Sequence, residues 1–248
     1  MATHLVTHRR HEVGSTQDEA RRLVESSGDL PLLLIAARQS SGRGRTGRSW
    51  LTAPRALACS LVVAPGWRTR HWGTIPLLAG LAARSALNEH TGVRPRLKWP
   101  NDLITERGKV GGILVEASDD LAVIGLGVNL WWPDAPEGMA ATCHHDPGAD
   151  LAGSIAAAWA ESVLVGLGRQ SSRWGHEDYR VACVTLQSWV TWEPGGRGMA
   201  VDVAMDGGLV VETATGRTTL RSGEVHEVRT ATVAAGADRS AEGTPRWP

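Results

Sequence analysis

Residues 97–130 read LKWPNDLITERGKVGGILVEASDDLAVIGLGVNL. Lys109–Ala117 and Leu121–Leu130 are two runs rich in aliphatic and β-branched residues, separated by Ser118-Asp119-Asp120. That spacing predicts a β-hairpin. Upstream, 94–99 predicts a short strand ending at Pro100, which cannot donate to a ladder, and 104–109 a tight connection. Farther out, Thr74–His90 has a threonine cap, Pro76 in the first turn, apolar Leu77, Leu78, Leu81 and Leu87, and Gly92 as a stop. That pattern predicts a helix. Leu32–Ala37 is a continuous apolar run, as in a strand covered on both faces, and Ala56–Ala64 predicts another strand.

The flanks complete an α+β plan. Residues 3–13 predict a strand entering a turn. Thr16-x-x-Glu19 has the spacing of a capping box opening a short helix that turns Leu23 and Val24 inward and stops at Gly28. Residues 131–150 form a Pro/Gly-rich loop, and Leu151–Leu167 and 173–183 predict helices. Past residue 185, short β segments at Trp189–Trp192, Met199–Met205, Leu209–Thr213 and Thr218–Leu220 predict a small all-β unit. The expected division is 1–185, 186–234, and a disordered polar tail over 235–248.

With 248 residues, 42% of them apolar, the chain can bury a core without staples. Its 26 basic residues balance 26 acidic ones, which argues against a general nucleic-acid or membrane-surface binder. Cys59, Cys143 and Cys183 have no CxxC spacing, so a disulfide framework or cysteine-based zinc site is not expected and a reducing, cytoplasmic compartment is. No run reaches the ~18 apolar residues of a membrane span. MATHLVTHRRHEV at the start lacks the apolar stretch of a signal peptide.

Only two of the 26 basic residues are lysines, Lys98 and Lys109, and asparagine occurs only at 88, 101 and 129. Where arginine replaces lysine this freely, the remaining lysines mark places a planar guanidinium will not serve. Both lie in 98–129, together with Asn101 and Asn129, and that segment is the expected chemical site.

Four motifs carry chemistry. Gly42-Arg43-Gly44-Arg45-Thr46-Gly47-Arg48, followed by Trp50, combines glycines that let backbone approach a ligand with guanidinium forks for phosphate or carboxylate. A solvated basic loop and an RG-type nucleic-acid segment are the alternatives, and the neutral net charge counts against the second. Lys98-Trp99-Pro100-Asn101-Asp102 holds an ammonium and a carboxylate at a strand end; the plain alternative is a surface ion pair in a turn. Lys109-Val110-Gly111-Gly112 opens a strand with a cation beside glycines, which mark close ligand approach or a bulge. Gly125-Leu126-Gly127-Val128-Asn129 has GxG but opens no helix, so pocket-lining small residues fit better than a dinucleotide fingerprint. Cys143-His144-His145-Asp146 lacks the usual spacing of metal ligands, and the absence of GxSxG leaves an esterase triad without support.

In this order (Ser15-Thr16 opening a helix, Arg38-Gln39, GRGRTGRSW, LKWPNDL, KVGGILVE, GLGVN) the motifs resemble those of the biotin protein ligases. The likeness spans residues 12–130 and continues more weakly through Ala141-Thr142, Tyr179-Arg180, Gly223-Glu-Val225 and Arg229. It implies a central mixed sheet flanked by helices, of the class II aminoacyl-tRNA synthetase and biotin ligase kind, with a C-terminal SH3-like β-barrel. It implies an ATP- and Mg²⁺-dependent enzyme with no permanent cofactor. Such an enzyme activates biotin to biotinyl-5′-AMP and passes it to a lysine of a biotin carboxyl carrier protein or the biotin-accepting domain of an acyl-CoA carboxylase.

The resemblance also implies roles. Lys109, Arg45, Arg48 and Lys98 would be catalytic. Ser15, Thr16, Gln17, Gln39, Arg43, Gly44, Arg45, Lys109, Gly111 and Gly112 would bind biotin, with Ser15, Thr16 and Gln39 bonding its ureido end. Gly42, Arg43, Arg45, Arg48, Trp50, Lys98, Asn101, Asn129 and Arg229 would bind ATP and the adenylate. Asp102 would hold Mg²⁺ or orient a lysine. The glycine-rich loop is expected to order over the reactive adenylate. Two departures stand out: Gln17 where the family usually has Asn, and Leu186-Gln187-Ser188 where it usually has Leu-Gly-Arg. With Ser15-Thr16 so near the start, a stand-alone ligase without an N-terminal DNA-binding domain is expected, with no nucleic-acid or membrane partner, as a monomer or homodimer. The rivals are a lipoate- or octanoate-type ligase or transferase of the same architecture, and a non-enzymatic nucleic-acid binder.

Overall fold

A computed structural model describes residues 4–118, 120–221 and 225–227. Arg229 and the 235–248 segment lie outside the described residues. The main sheet has seven strands: β1 Val6–Val13, β2 Leu32–Gln39, β3 Arg55–Val63, β4 Arg96–Lys98, β5 Asp102–Thr105, β6 Gly108–Ser118 and β7 Leu121–Trp131. Their spatial order is β1-β2-β3-β7-β6-β5-β4. β1 and β2 run parallel, joined by helix α1 (Thr16–Ser27), and the other pairs are antiparallel. The sheet is therefore mixed, because a parallel pair needs a crossover and a hairpin does not. The predicted β6–β7 hairpin is at its centre, pairing Gly111↔Val128 through Ser118↔Leu121.

β2 shows why its apolar run is unbroken. Leu32 and Leu34 pack with Ala20 and Val24 of α1, whereas Leu33 and Ile35 face the larger core on the other side. A strand buried on both faces has no polar alternate positions, and each fully buried leucine contributes roughly 1.5–3 kcal/mol. The second face is covered by α2 (Ile75–Thr91) and α3 (Asp150–Leu167), which pack on each other. α2 is closed by Gly92 in the left-handed conformation, with φ 71°. Contrary to the expectation from sequence, α3 is long and apolar enough by length and composition to cross a membrane. Here its Ile155, Ala156, Trp159 and Val163 are core residues, and the Trp159 indole N–H donates to the Ala79 carbonyl at 3.0 Å. α4 spans His176–Ala182.

Strands β8 Trp189–Trp192, β9 Gly196–Val203, β10 Leu209–Thr213, β11 Gly216–Leu220 and β12 Val225–Glu227 form a five-stranded antiparallel sheet, consistent with an SH3-like unit. Its Val190, Ala200, Val203, Leu209 and Val211 join the core of the main sheet. Trp99, just after β4, and Trp174, just before α4, tie the rest of the fold to this sheet, donating indole N–H groups to the carbonyls of Gly207 (2.9 Å) and Met205 (3.0 Å). Gln187, where the resemblance implies glycine, has φ 62°, the left-handed region that favours glycine.

Two local expectations are corrected. Residues 104–109 are not merely a connection: Asp102–Thr105 is a strand of its own, paired with β6 across a bulge at Leu103/Ile104. The Thr16/Glu19 capping box does not form. Thr16 is the first helical residue, and its hydroxyl donates to Gln39 at 2.9 Å. Glu19 instead pairs with Arg10 and Arg22.

Gly111 faces away from the site. A Cβ there would lie 2.7 Å from the Gly127 carbonyl oxygen and 2.9 Å from Leu103 Cδ1. Gly111→Ala is expected to cost about 1–3 kcal/mol of stability, read as a lower urea midpoint. An unchanged midpoint would contradict this close packing.

Candidate active site

The mouth of the β6–β7 hairpin, the N-terminus of α1, the 42–50 loop and the β4–β5 turn enclose a cleft of about 260 Å³. The spacing of β6 sets its order. At Leu114, paired with Gly125, lie the uncharged groups of α1. Two residues back, Gly112 and Gly127 form a floor. A further three residues back stands Lys109. The whole distance is roughly 16 Å of strand.

At the uncharged end, Ser15, Thr16 and Gln17 are almost fully buried and line the cleft with Gln39. The Thr16 N–H and hydroxyl both donate to Gln39 Oε1, at 2.8 and 2.9 Å, and the Ser60 hydroxyl donates to Thr16 Oγ1 at 2.9 Å. Gln17 Nε2 donates to the Leu114 carbonyl at 2.9 Å. The motif reading missed Ser60, which sits mid-strand among apolar neighbours; a buried polar residue there was the available signal.

The middle belongs to Trp50. Its N–H donates to the Gly42 carbonyl at 2.9 Å, closing the neck of the loop. Its ring lies on the glycine floor: a Cβ on Gly127 would fall 2.8 Å from Cζ2, and one on Gly112 would fall 3.4 Å from Cζ3. The indole Nε1 is buried without a hydrogen-bond partner among the described residues. Gly44 lines the cleft and its N–H donates to the Arg48 carbonyl, whereas Gly42 packs behind, against Gln39 Nε2 and Trp50.

The charged end collects Arg45, Arg48, Lys98, Asp102 and Lys109. Lys109 Nζ donates to Asp102 Oδ1 at 2.6 Å and stands 5.8 Å from the Trp50 ring centroid. Asn101 is locked in place: Nδ2 donates to the Ile113 carbonyl at 2.9 Å, and Oδ1 accepts from Arg45 Nη1 at 3.3 Å.

Three expected residues, Gly111, Asn129 and the Gly42 already described, do not line the cleft. Gly111 is turned from the cleft by strand alternation. Asn129 is fully buried and does not line it; Nδ2 donates to the Ala140 carbonyl at 3.0 Å, tying the returning 139–142 segment to β7. Arg229 is outside the described residues. Of the Cys143–Asp146 cluster, Asp146 is taken by a two-pronged bond from Arg55 and His144 lies beside Arg107.

Arg43 lines the cleft but sends its guanidinium outward. It forks onto Asp18 at 2.7 Å through both nitrogens and lies 3.5 Å from Glu116, which also takes Arg21 at 2.8 Å. The Arg43 hydrogen bonds hold the Asp18 carboxyl below its ordinary value, and Arg43 is correspondingly raised. A depressed carboxyl stabilises above its ordinary value, and that stabilisation is lost as pH falls through the lowered one. The pair is a third or more exposed, so the tether is worth no more than about 1 kcal/mol. Asp18→Asn is expected to quicken tryptic cleavage in the 42–50 loop at pH 7 by about two- to fivefold. Wild-type loop cleavage by an acid protease should rise as pH drops below the carboxylate range. Equal cleavage of variant and wild type would remove the tether.

Comparisons with known proteins agree with this geometry. Residues 13–129 match the model of the biotin/lipoate A/B protein ligase family. The biotin--[acetyl-CoA-carboxylase] ligase of Mycobacterium tuberculosis is 30% identical over 243 residues, covering 88% of this chain and 87% of its own length. The corresponding ligase of Paracoccus denitrificans is 37% identical over 124 residues, 47% of this chain and 51% of its own. The structure of the biotin protein ligase from Aquifex aeolicus in complex with biotin and ATP aligns with TM-score 0.75 at 28% identity, covering 91% of this chain and 99% of that one. Fold and site define the class, an α+β ligase domain with a small antiparallel sheet attached. The chain belongs to the biotin/lipoate A/B protein ligase family, and within it to the biotin protein ligases.

Proposed function

We propose that the protein is an ATP-dependent biotin protein ligase that acts in two half-reactions in the one cleft. In the first, the biotin carboxylate attacks the α-phosphorus of ATP; the new O–P bond forms as the bond to pyrophosphate breaks, giving biotinyl-5′-AMP. In the second, the amine of a carrier lysine attacks the acyl carbon, AMP leaves with the former carboxylate oxygen, and the amine loses a proton. The observation that carries this reading is the division of the cleft, with uncharged amide and hydroxyl groups at one end and Arg45, Arg48, Lys98 and Lys109 at the other. That arrangement suits a ligand with a polar uncharged head and a carboxylate that must meet a triphosphate.

Bringing two anions together is the main barrier, and fixed cations lower it by positioning and electrostatic stabilisation. Lys109 would hold the carboxylate and the neighbouring phosphoryl oxygen, kept in place by Asp102. Arg45, positioned by Asn101, together with Arg48 and Lys98, would hold the phosphates, and Trp50 would support the nucleotide. Magnesium, when bound, neutralises triphosphate charge. Asp102 is the carboxylate available to it, and no three ligating side chains converge among the described residues. Mostly phosphate and water ligands fit that picture. The acceptor would be a biotin-carrier domain in the cytoplasm, a reading supported by the three free cysteines.

Pyrophosphate exchange tests the first half-reaction. Biotin should drive ATP–pyrophosphate exchange and lipoate should not. Exchange with lipoate alone would overturn the biotin reading.

A further inference from the structure

We infer that Arg107 is a positioning residue for the first half-reaction, acting through a returning segment of chain that holds the backbone of Lys109. The inference rests on the ligase reading above and deepens it at the charged end of the cleft. The paired residues of β6 and β7 run from Ser118↔Leu121 to Gly111↔Val128. Toward the open end of the hairpin, residues 138–143 come in between the two strands. On one side the Lys109 N–H donates to the Gly138 carbonyl at 2.9 Å, and the Lys109 carbonyl accepts from the Ala140 N–H at 2.8 Å. On the other side the Thr142 N–H donates to the Asn129 carbonyl at 3.0 Å, and the Cys143 N–H to the Leu130 carbonyl at 2.7 Å. Lys109 therefore takes its ladder bonds from this segment, pairing with Met139 in parallel. Gly108 shows how close the approach is: its φ is 134°, and a Cβ there would lie 2.7 Å from the Gly138 carbonyl oxygen.

Arg107 clasps the segment from the turn between β5 and β6. Its Nη2 donates to the Ala141 carbonyl at 2.9 Å, and its Nη1 lies 3.5 Å from His144 Nδ1. Ala141 lies between the residues bonded to Lys109 and those bonded to β7, so the clasp fixes the segment at its middle. Hydrogen bonds from a charged donor are the stronger ones. Arg107 does not line the cleft and is two residues from the cation that does. The Lys109 ammonium is aimed by Asp102 at 2.6 Å, whereas its backbone is held by the segment. A segment released at Ala141 shifts, and Lys109 shifts with it, away from the point where carboxylate and phosphate meet. Displacement near 1 Å at a reacting centre costs about 100-fold, and loss of one bond among several gives part of that.

Kinetics of biotin-dependent ATP–pyrophosphate exchange test the assignment. Arg107 is an exposed turn residue, so its variants should fold. Arg107→Ala should lower kcat about tenfold and leave KM for ATP and for biotin within about twofold, the pattern of a stabilising interaction misplaced in the transition state. Arg107→Lys, which keeps a charged donor, should recover most of the loss. In a Lys109→Ala background, Arg107→Ala should lower exchange by less than about twofold, because no ammonium is left to misplace. The inference is overturned if Arg107→Ala keeps wild-type kcat, if the same loss appears in both backgrounds, or if the loss lies in KM for ATP, which would make Arg107 a nucleotide contact. The split between kcat and KM, with the lysine recovery, decides should Lys109→Ala be too slow to follow. Wild type that shows no biotin-dependent exchange would instead overturn the ligase reading, a result distinct from every Arg107 outcome.

Discussion

Lys109→Arg is expected to lower biotin-dependent ATP–pyrophosphate exchange by about 10²–10³-fold, although the positive charge is kept. Lys109 stands at the start of β6, and its ammonium reaches Asp102 at 2.6 Å and lies over the Trp50 ring, 5.8 Å from its centroid. An ammonium is a compact charge with three donors that can serve Asp102 and a ligand oxygen together. A guanidinium is planar and longer, and its preferred partner is the two-pronged carboxylate. Here it would fork onto Asp102 or push against Trp50, and in either case withdraw charge from the point where carboxylate and phosphate meet. The scarcity of lysine in a chain so rich in arginine agrees: Lys98 and Lys109 both line the cleft. Biotin and ATP affinities should fall less than the exchange rate. Exchange within about threefold of wild type would show that any cation suffices, against the loss of 10² or more usual for a misplaced stabilising group.

The second large effect is expected at Gly127, which touches no predicted reacting atom. A Cβ there would lie 2.8 Å from Trp50 Cζ2 and 2.9 Å from Cε2, and valine adds two γ-carbons on top. The indole has no space to retreat on the floor side, because β7 is paired on both edges. Trp50 must therefore leave its seat, and the 42–50 loop moves with it, since Trp50 closes the neck of that loop at Gly42. Gly127→Val is expected to reduce kcat/KM for ATP by about 100-fold, the usual result of a displacement near 1 Å at a reacting centre. Biotin affinity, for which the α1 end of the cleft would account in large part, should fall by less than kcat/KM for ATP. Steady-state kinetics and calorimetry separate the two. Unaltered ATP kinetics in a folded variant would mean that Trp50 takes no part in nucleotide binding.

What could be read from the sequence follows the range of the interactions. The β6–β7 hairpin, α2 with its Gly92 stop and the unbroken Leu32–Ala37 strand were legible because periodicity and local turn chemistry set them. The cleft was legible largely through composition: two rare lysines and the glycines of the hairpin mark where ligand and indole approach the backbone. The rest depends on partners far away in the chain. Nothing near Thr16 announces that Gln39 will take its hydroxyl and undo the capping box. Arg43 reads as an anion ligand until Asp18 and Glu116 come from α1 and β6 to hold it. Asn129 has the look of a site residue, and only the return of the 139–142 segment shows it to be a buried tie. Gln17 gave a signal, as a departure from the usual Asn, but its bond to the distant Leu114 carbonyl becomes visible only in the fold.

Mass spectrometry of a biotin-carrier domain after incubation with the protein, biotin, Mg²⁺ and ATP tests the central claim most directly. The account predicts that the carrier gains a single biotinyl group on one lysine, only when all three small molecules are present, and that Lys109→Arg largely abolishes the gain. A carrier that remains unmodified under these conditions, or that takes lipoate in place of biotin, would contradict it.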